Sequence, residues 1–401
     1  MTAPFSLAVD AMGGDHAPAM VVAGMEIAAE RHPKARFLLV GDEQQINGLL
    51  ARHRGARAAC TVRHAPDVVG NDMKPTAALR ARQSSMRIAI DAVAAGEASG
   101  VVSAGNTGAL LTLAKIVLKT LPGIDRPAMA AIGPSARGDV VMLDLGANVQ
   151  CDVRNLVQFA IMGDVFARTV LGLTAPSIGL LNVGSEELKG DDTLRQAAEI
   201  LRASHIGPQF HGFVEGHDIA AGTTDIVVTD GFTGNVALKT GEGALRLILD
   251  LLRQVFSNSW SGKLAYLLAR PGLERLREWL DPRRYNGAVM VGLNGVVVKS
   301  HGGADAETFA HAVDVAMDMV VHRFNDLIRQ DLARSGLDKP APQDKNEPKD
   351  KNDSQDRASP KDMVGPQDQA RPKDQAGLKD HASSKDPASS KDQGGPRLAT
   401  A

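Results

Sequence analysis

The chain has 401 residues, 43% of them hydrophobic and 23% charged, enough apolar material for one large or two ordinary domains of about 100 to 200 residues each. That excludes a wholly disordered or fibrous protein, and a formal net charge of −2 gives no global basic excess to recommend nucleic acid as a partner. Two cysteines, Cys60 and Cys151, cannot build a disulfide framework, and no CxxC or Cys/His spacing suggests structural zinc, so a reducing, cytoplasmic setting is expected.

At the N-terminus Asp10 and Asp15 interrupt the stretch where a signal peptide would be apolar. No run reaches the roughly 18 apolar residues that span a bilayer, so any membrane contact is expected to be peripheral. Up to about residue 337, short apolar β-branched runs alternate with helical patterns, which predicts an α/β fold with a mostly parallel sheet flanked by helices. In chain order SLAVDAMGG, ARFLLVGD, SGVVSAGN, DVVMLDLGAN, PSIGLLNVGS and TDIVVTDGF read as buried strands that end in a glycine-containing loop. Ligands of open α/β sheets sit beyond such carboxyl ends, where helix N-termini present unpaired N–H groups.

Glycine also serves simply to turn the chain, so the chemistry the loops share is more informative. Asp10 stands with Gly13, Gly14, Asp15 and His16; Ser103 with Gly105, Asn106, Thr107 and Gly108; Asp144 with Gly146 and Asn148. Further on, Asn182 stands with Gly184, Ser185, Glu186 and Lys189, and Asp230 with Gly231, Thr233, Gly234, Asn235 and Lys239. The Ser103–Gly108 turn before a helix reads as an oxyanion or phosphate cradle, or as an ordinary N-cap by Asn106 or Thr107. The Asp230 loop adds an acid and an ammonium, and Lys189 can meet phosphate or stand as a solvated surface lysine. His16 reads as an anion contact, a proton shuttle or a plain turn histidine, and His301 either completes the pocket or merely precedes a helix capped by Asp305.

From 245 to 284 the pattern becomes amphipathic and helical, with Leu245, Ile248, Leu249, Leu252, Val255 and Phe256 on one face. Eight basic side chains, among them Arg246, Arg253, Lys263, Arg275 and Arg277, stand against four acidic ones between 246 and 284. Two uses fit: a helical pair packed on its own domain or a dimer partner, or a surface for anionic lipid or an acidic carrier protein with Leu267, Leu268 and Trp279 as apolar anchors. Residues 338–401 form a separate region, in which Asp recurs at every sixth position from Asp344 to Asp392. This polyampholyte has 12 acidic and 12 basic side chains and almost no large apolar ones, so it is expected to be disordered.

Several chemistries fail on spacing. The Gly262-Lys263 pair is followed by Leu264 rather than Ser or Thr, no HExxH, GxSxG or dinucleotide GxGxxG is present, and no carboxylate cluster has metal spacing. Neither a metal nor a cofactor is expected.

Read in order, AVDAMGGDHAP, VSAGNTGALL, LDLGANV, LLNVGSEELKGDD, VTDGFTGNVALK and SHGGAD closely resemble the bacterial acyl-[acyl-carrier-protein]:phosphate acyltransferases of phospholipid synthesis, across nearly all of residues 5 to 325. The resemblance implies transfer of a fatty acyl group from acyl carrier protein to inorganic phosphate, with a membrane glycerol-phosphate acyltransferase consuming the acyl phosphate. It also implies a homodimer, similarity to phosphate acetyltransferases, and two subdomains around a cleft within residues 1–337. Lys189, Asp230 and Asn235 are then the expected catalytic groups. Asp10, Gly13, Gly14, His16, Gly105, Asn106, Thr107, Gly108, Asn148, Glu186, Lys239 and His301 are the expected substrate contacts. Location at the inner face of the cell membrane follows from the same resemblance. A coenzyme A-dependent small-acyl phosphotransacylase and a noncatalytic membrane or carrier-protein scaffold are the competing readings.

Overall fold

A computed structural model of the chain describes residues 6–279 and 287–337, with the backbone alone at 275–279. The expected disordered tail, 338–401, lies outside the described residues, which belong to one compact unit.

Among the described residues eleven strands make one sheet. They are β1 Leu7–Asp10, β2 Phe37–Gly41, β3 Cys60–His64, β4 Gly100–Ser103, β5 Ala128–Ser135, β6 Gly138–Leu143, β7 Ile178–Leu181, β8 Phe210–Val214, β9 Ile226–Val228, β10 Ala288–Val291 and β11 Val296–Lys299. Their order is β3-β2-β1-β4-β11-β10-β5-β6-β9-β7-β8. Seven of the ten pairings are parallel, so the sheet is mostly parallel as expected.

Helices cover both faces, which is why the inner strands read as unbroken apolar runs rather than as alternating patterns. Leu7 and Val9 face the core shared with helices Ala19–Arg31, Val153–Val170 and Ala306–Val321, whereas Ala8 between them faces helices Ser85–Ala94 and Thr107–Leu118. The acidic and amide residues just past the strands act first as helix caps. Asp42 accepts from Gln45 N at 2.9 Å, Asn106 from Ala109 N at 3.0 Å, Asp230 from Thr233 N at 2.9 Å and Asp305 from Thr308 N at 2.8 Å. Each such cap stabilises its helix by about 1 kcal/mol.

Strand direction divides the sheet in two. Strands β3, β2, β1, β4 and β11 run one way and β6, β9, β7 and β8 the other, while β10 and β5, antiparallel to both their neighbours, lie between. The loops after β1, β4 and β11 therefore leave one edge of the sheet, and those after β6, β7 and β9 leave the opposite edge. Four strand spacings separate β4 from β6, about 19 Å at the usual inter-strand distance.

Candidate functional site

The set after β6, β7 and β9 is built on Asp144. This fully buried carboxylate accepts from Met129 N at 2.8 Å, Ala147 N at 3.0 Å, Asn148 N at 2.7 Å and Asn148 Nδ2 at 2.9 Å, and so folds the turn after β6 around itself. Burial pushes its carboxyl above the usual range against the pull of those donors. Asn148 is itself buried, and its amide also donates to Pro127 O at 2.7 Å.

Helix Gly231–Ser257 docks its first turn on this knot. Gly231 N donates to Asn148 O at 2.7 Å, and a Cβ on Gly234 would lie 1.9 Å from Asp144 O, so only glycine fits. Asp230 caps the helix and also accepts from Thr233 Oγ1 at 2.7 Å. Asn235 sits one turn in, exposed and beside Gly146, and Lys239 follows four residues later on the same side, paired to Glu242 at 2.8 Å.

The loop after β7 is closed at its neck. Asn182 donates from Nδ2 to Lys189 O at 3.1 Å, and Gly190, at φ +82°, leaves room where a Cβ would meet Asn182 Oδ1 at 2.3 Å. The clasp holds Lys189 and Glu186 on the exposed rim, where both side chains lie over Gly184. Between this loop and the Asp230 turn lies a cavity of about 580 Å³, lined among others by Asn182, Val183, Asp230, Thr233, Leu194 and Cys151.

The set after β1, β4 and β11 is closed instead. Asp10, Ser103 and Lys299 share one register row and project to the same face. Asp10 is 1% exposed and accepts from Ser85 Oγ at 2.6 Å and Ser103 Oγ at 2.7 Å; burial pushes its carboxyl up. Lys299, 8% exposed, donates to Ala104 O at 3.3 Å and to Ser300 O, and burial pushes its ammonium down to about 8, against the pull of Asp10 and Asp15.

Above this row the loops interlock through glycine. A Cβ on Gly13 would meet Gly105 N at 2.7 Å, Gly14 lies against Ala104, and Asp15 N donates to Gly302 O at 2.8 Å. Asn106 is committed twice, as a cap through Oδ1 and as a tether through Nδ2 to Asn71 O at 2.7 Å and Met73 O at 3.1 Å. Gly108 lies against Pro75 and Thr107 is exposed. His16 and His301 are exposed at the rim, the latter accepting from Gly303 N at 3.0 Å.

The helical pair expected over 245–284 is present as Gly231–Ser257 and Trp260–Trp279, but the first helix already begins at Gly231, so Asn235 and Lys239, expected on a loop, lie on it; 280–284 lie outside the described residues. In the first helix only Gly231 and Gly234 are fully buried, so the helix, roughly 40 Å long, is anchored by its first turn. Leu245, Leu249, Leu252 and Phe256 are half-buried, Phe256 edge-on to Tyr266 at 5.8 Å, while Ile248 and Val255, expected on that same face, are exposed together with Leu247 and Leu251. Arg246, Arg253, Lys263, Leu267 and Leu268 are exposed; the side chains of Arg275, Arg277 and Trp279 lie outside the described ones. No helix among the described residues is long and apolar enough to cross a membrane, and among them no group of His, Cys, Asp or Glu could hold a metal.

Sequence reasoning passed over Lys299, Ser85 and Cys151. Lys299 had a signal, a lysine closing the otherwise apolar run VVVK; Ser85 and Cys151 had none, because Ser85 matters through its bond to Asp10 on β1 and Cys151 through the cavity it lines with the Asn182 and Asp230 turns.

The family model described as "Fatty acid synthesis protein" matches residues 5–327. The phosphate acyltransferase of Acidiphilium cryptum is 74% identical over 328 residues, covering 82% of this chain and 86% of that protein. That of Granulibacter bethesdensis is 72% identical over 341 residues, covering 84% and 93%. Among solved structures, a phosphotransacetylase from Streptococcus pyogenes matches with a TM-score of 0.53 at 16% identity over 79% of this chain and 94% of that one. The EutD phosphotransacetylase from Staphylococcus aureus gives 0.51 at 14% over 80% and 96%. At these identities the likeness to the two structures is one of fold.

Proposed function

The chain belongs to the fatty acid synthesis protein family and is an acyltransferase that carries a fatty acyl group to phosphate; from that premise we propose that the donor is a thioester of acyl carrier protein and that the chemistry occurs at the ends of β6, β7 and β9. The observation that carries this reading is the shared cavity between the Asn182–Gly190 clasp and the Asp230 cap, with Lys189 and Asn235 on the exposed loop and helix turn that flank it.

Phosphate is already a nucleophile, so the protein need only hold it in line with the thioester carbonyl and stabilise the tetrahedral oxyanion. The phosphate oxygen bonds to the carbonyl carbon, the C–S bond breaks, and the electron pair leaves on sulfur as a thiolate. With a thiol pKa of about 8.5, that leaving group needs little protonation. In this reading Lys189 meets phosphate or the oxyanion and Asn235 donates to the same anion, with Lys239 and Glu186 at the rim. Asp230 uses two acceptor positions on Thr233 and keeps others for a phosphate proton. Asp144 and Asn148 act through backbone placement.

The β1, β4 and β11 set serves as a brace: Asp10, Gly13, Gly14, Gly105, Asn106 and Gly108 hold the turns together, and Thr107, His16 and His301, expected as substrate contacts, stand at its rim on the edge of the sheet opposite the proposed site. The hairpin of Gly231–Ser257 and Trp260–Trp279 offers exposed Leu247, Ile248, Leu251, Leu267 and Leu268 beside Arg246, Arg253 and Lys263. That composition supports a partner subunit, a carrier protein or anionic lipid, and with it a cytoplasmic enzyme working as a homodimer at the inner membrane face, beside the glycerol-phosphate acyltransferase that would consume its product.

Mass-spectrometric detection of acyl phosphate from acyl carrier protein thioester and phosphate, with no other protein present, tests the activity. Parallel assays with coenzyme A thioesters test the donor, and equal or better rates with coenzyme A would refute the carrier-protein reading. Liposome flotation of the intact protein and of an Arg275→Glu, Arg277→Glu variant tests the lipid surface; unchanged flotation counts against it.

A further inference from the structure

We infer that the cavity between β7 and β9 receives the apolar chain of the acyl donor, with Leu156, Leu181, Val183, Leu194 and Cys151 as its walls. The inference rests on the proposed acyl transfer and assigns the part of the substrate that the polar groups cannot recognise.

Its first support is the composition of the cavity. Leu156 and Leu181 are buried at its base, Leu194 and Cys151 are half-buried, and Val183 is 79% exposed at its mouth, while Asn182, Asp230 and Thr233 supply the polar side. A volume of about 580 Å³ suits a small-molecule site, and phosphate alone has no use for so much apolar wall.

The second support is the sequence order of the loops. Next to Asn148 stands Val149, next to Asn182 Val183, next to Lys189 Leu188, and next to Thr233 Phe232, and all four apolar side chains are strongly exposed. Solvated turns rarely carry large apolar groups on three successive loops, each beside a polar one. A ligand with an anionic or carbonyl head and a hydrocarbon tail matches both members of each pair.

The third support is the chemistry of Cys151. Its thiol donates to Asn148 O at 3.8 Å, and burial, with Asp144 and Asp230 nearby, pushes it up to about 12. At neutral pH it is a neutral thiol, which behaves as a small apolar wall rather than as a nucleophile for an acyl-enzyme.

Two measurements test the assignment. In Leu194→Trp the indole fills the cavity, and the ratio of kcat/KM for palmitoyl over butyryl carrier-protein thioester is expected to fall at least about tenfold. An unchanged ratio overturns the pocket, whereas a wild-type enzyme that forms no acyl phosphate from either donor overturns the proposed activity instead. In the wild-type protein, maleimide modification of Cys151 at a pH of about 9, where the thiolate fraction is about a hundredfold larger than at neutrality, followed by peptide mass spectrometry, is expected to slow at least roughly tenfold with palmitate and not with butyrate. Equal labelling with both acids overturns the inference even if the tryptophan variant fails to fold.

Discussion

At the ends of β1, β4 and β11 the polar side chains turn inward, Asp10 and Lys299 being 1% and 8% exposed, whereas at the ends of β6, β7 and β9 Lys189 and Asn235 stand at the surface and Asp230 is half-exposed. Both sets use glycine, Asp and Asn just past a strand, and each has a buried aspartate at its base. They differ in what the aspartate gathers. Asp10 takes two serine hydroxyls beside a buried ammonium and closes its loops over them. Asp144 takes mostly backbone N–H groups, which shapes a turn and leaves the neighbouring side chains free to meet a ligand. A polar glycine-rich turn is thus a brace or a mouth according to which groups its buried acid holds.

The largest effect is expected from Gly234→Ala, whose Cβ would drive into Asp144 O and lift the helix start off the open set. Chemical denaturation should show a loss of about 3 kcal/mol or more. Gly48→Ala, where nothing lies within 4 Å, should be neutral or slightly stabilising in the same experiment; similar losses for both would deny that the close approach matters.

Next comes the closed set. Lys299 keeps its ammonium in the fold only below about 8, while its ordinary value is 10.5. Between those values the unfolded chain binds the extra proton, so stability from this group rises with pH and is lost as pH falls through about 8. The gain is on the order of 3 kcal/mol from pH 8 to 10.5. Denaturation at several pH values should show that Lys299→Met removes this slope, and an unaltered slope would mean that the ammonium is not buried.

Lys189→Ala, at an exposed site, should lower turnover by about a hundredfold or more while leaving thermal stability almost unchanged. Steady-state rates and a melting curve on one preparation decide it; near-normal turnover removes Lys189 from the mechanism. Smallest is Asn106→Ala, which loses a cap and a tether and should cost about 1 kcal/mol in denaturation.

Much of the fold was legible because β1, β2, β4, β6, β7 and β9 are continuous apolar runs that end in glycine-containing turns. Strand β5, AMAAIGPS, carries Ala, Gly and Pro and has little strand character by itself, and β3 and β8 form the two outer edges with mixed exposure. The direction of one strand against another far along the chain leaves no local trace. Hence the assignment of the loops to two opposite edges was invisible, and with it the separation of Asn106 from Lys189 and Asn235. Residue types at the site were readable, but whether Asn106 caps and tethers or binds depended on Asn71 and Met73, which meet it only in three dimensions.

With phosphate chemistry at the open set and structural support at the closed one, the most direct measurement is phosphate-dependent formation of acyl phosphate by Asn235→Ala and Asn106→Ala, assayed where both are folded. Asn235→Ala is expected to lose about a hundredfold and Asn106→Ala to stay within about threefold of wild type. A near-normal rate in Asn235→Ala with collapse in Asn106→Ala would contradict that division of roles.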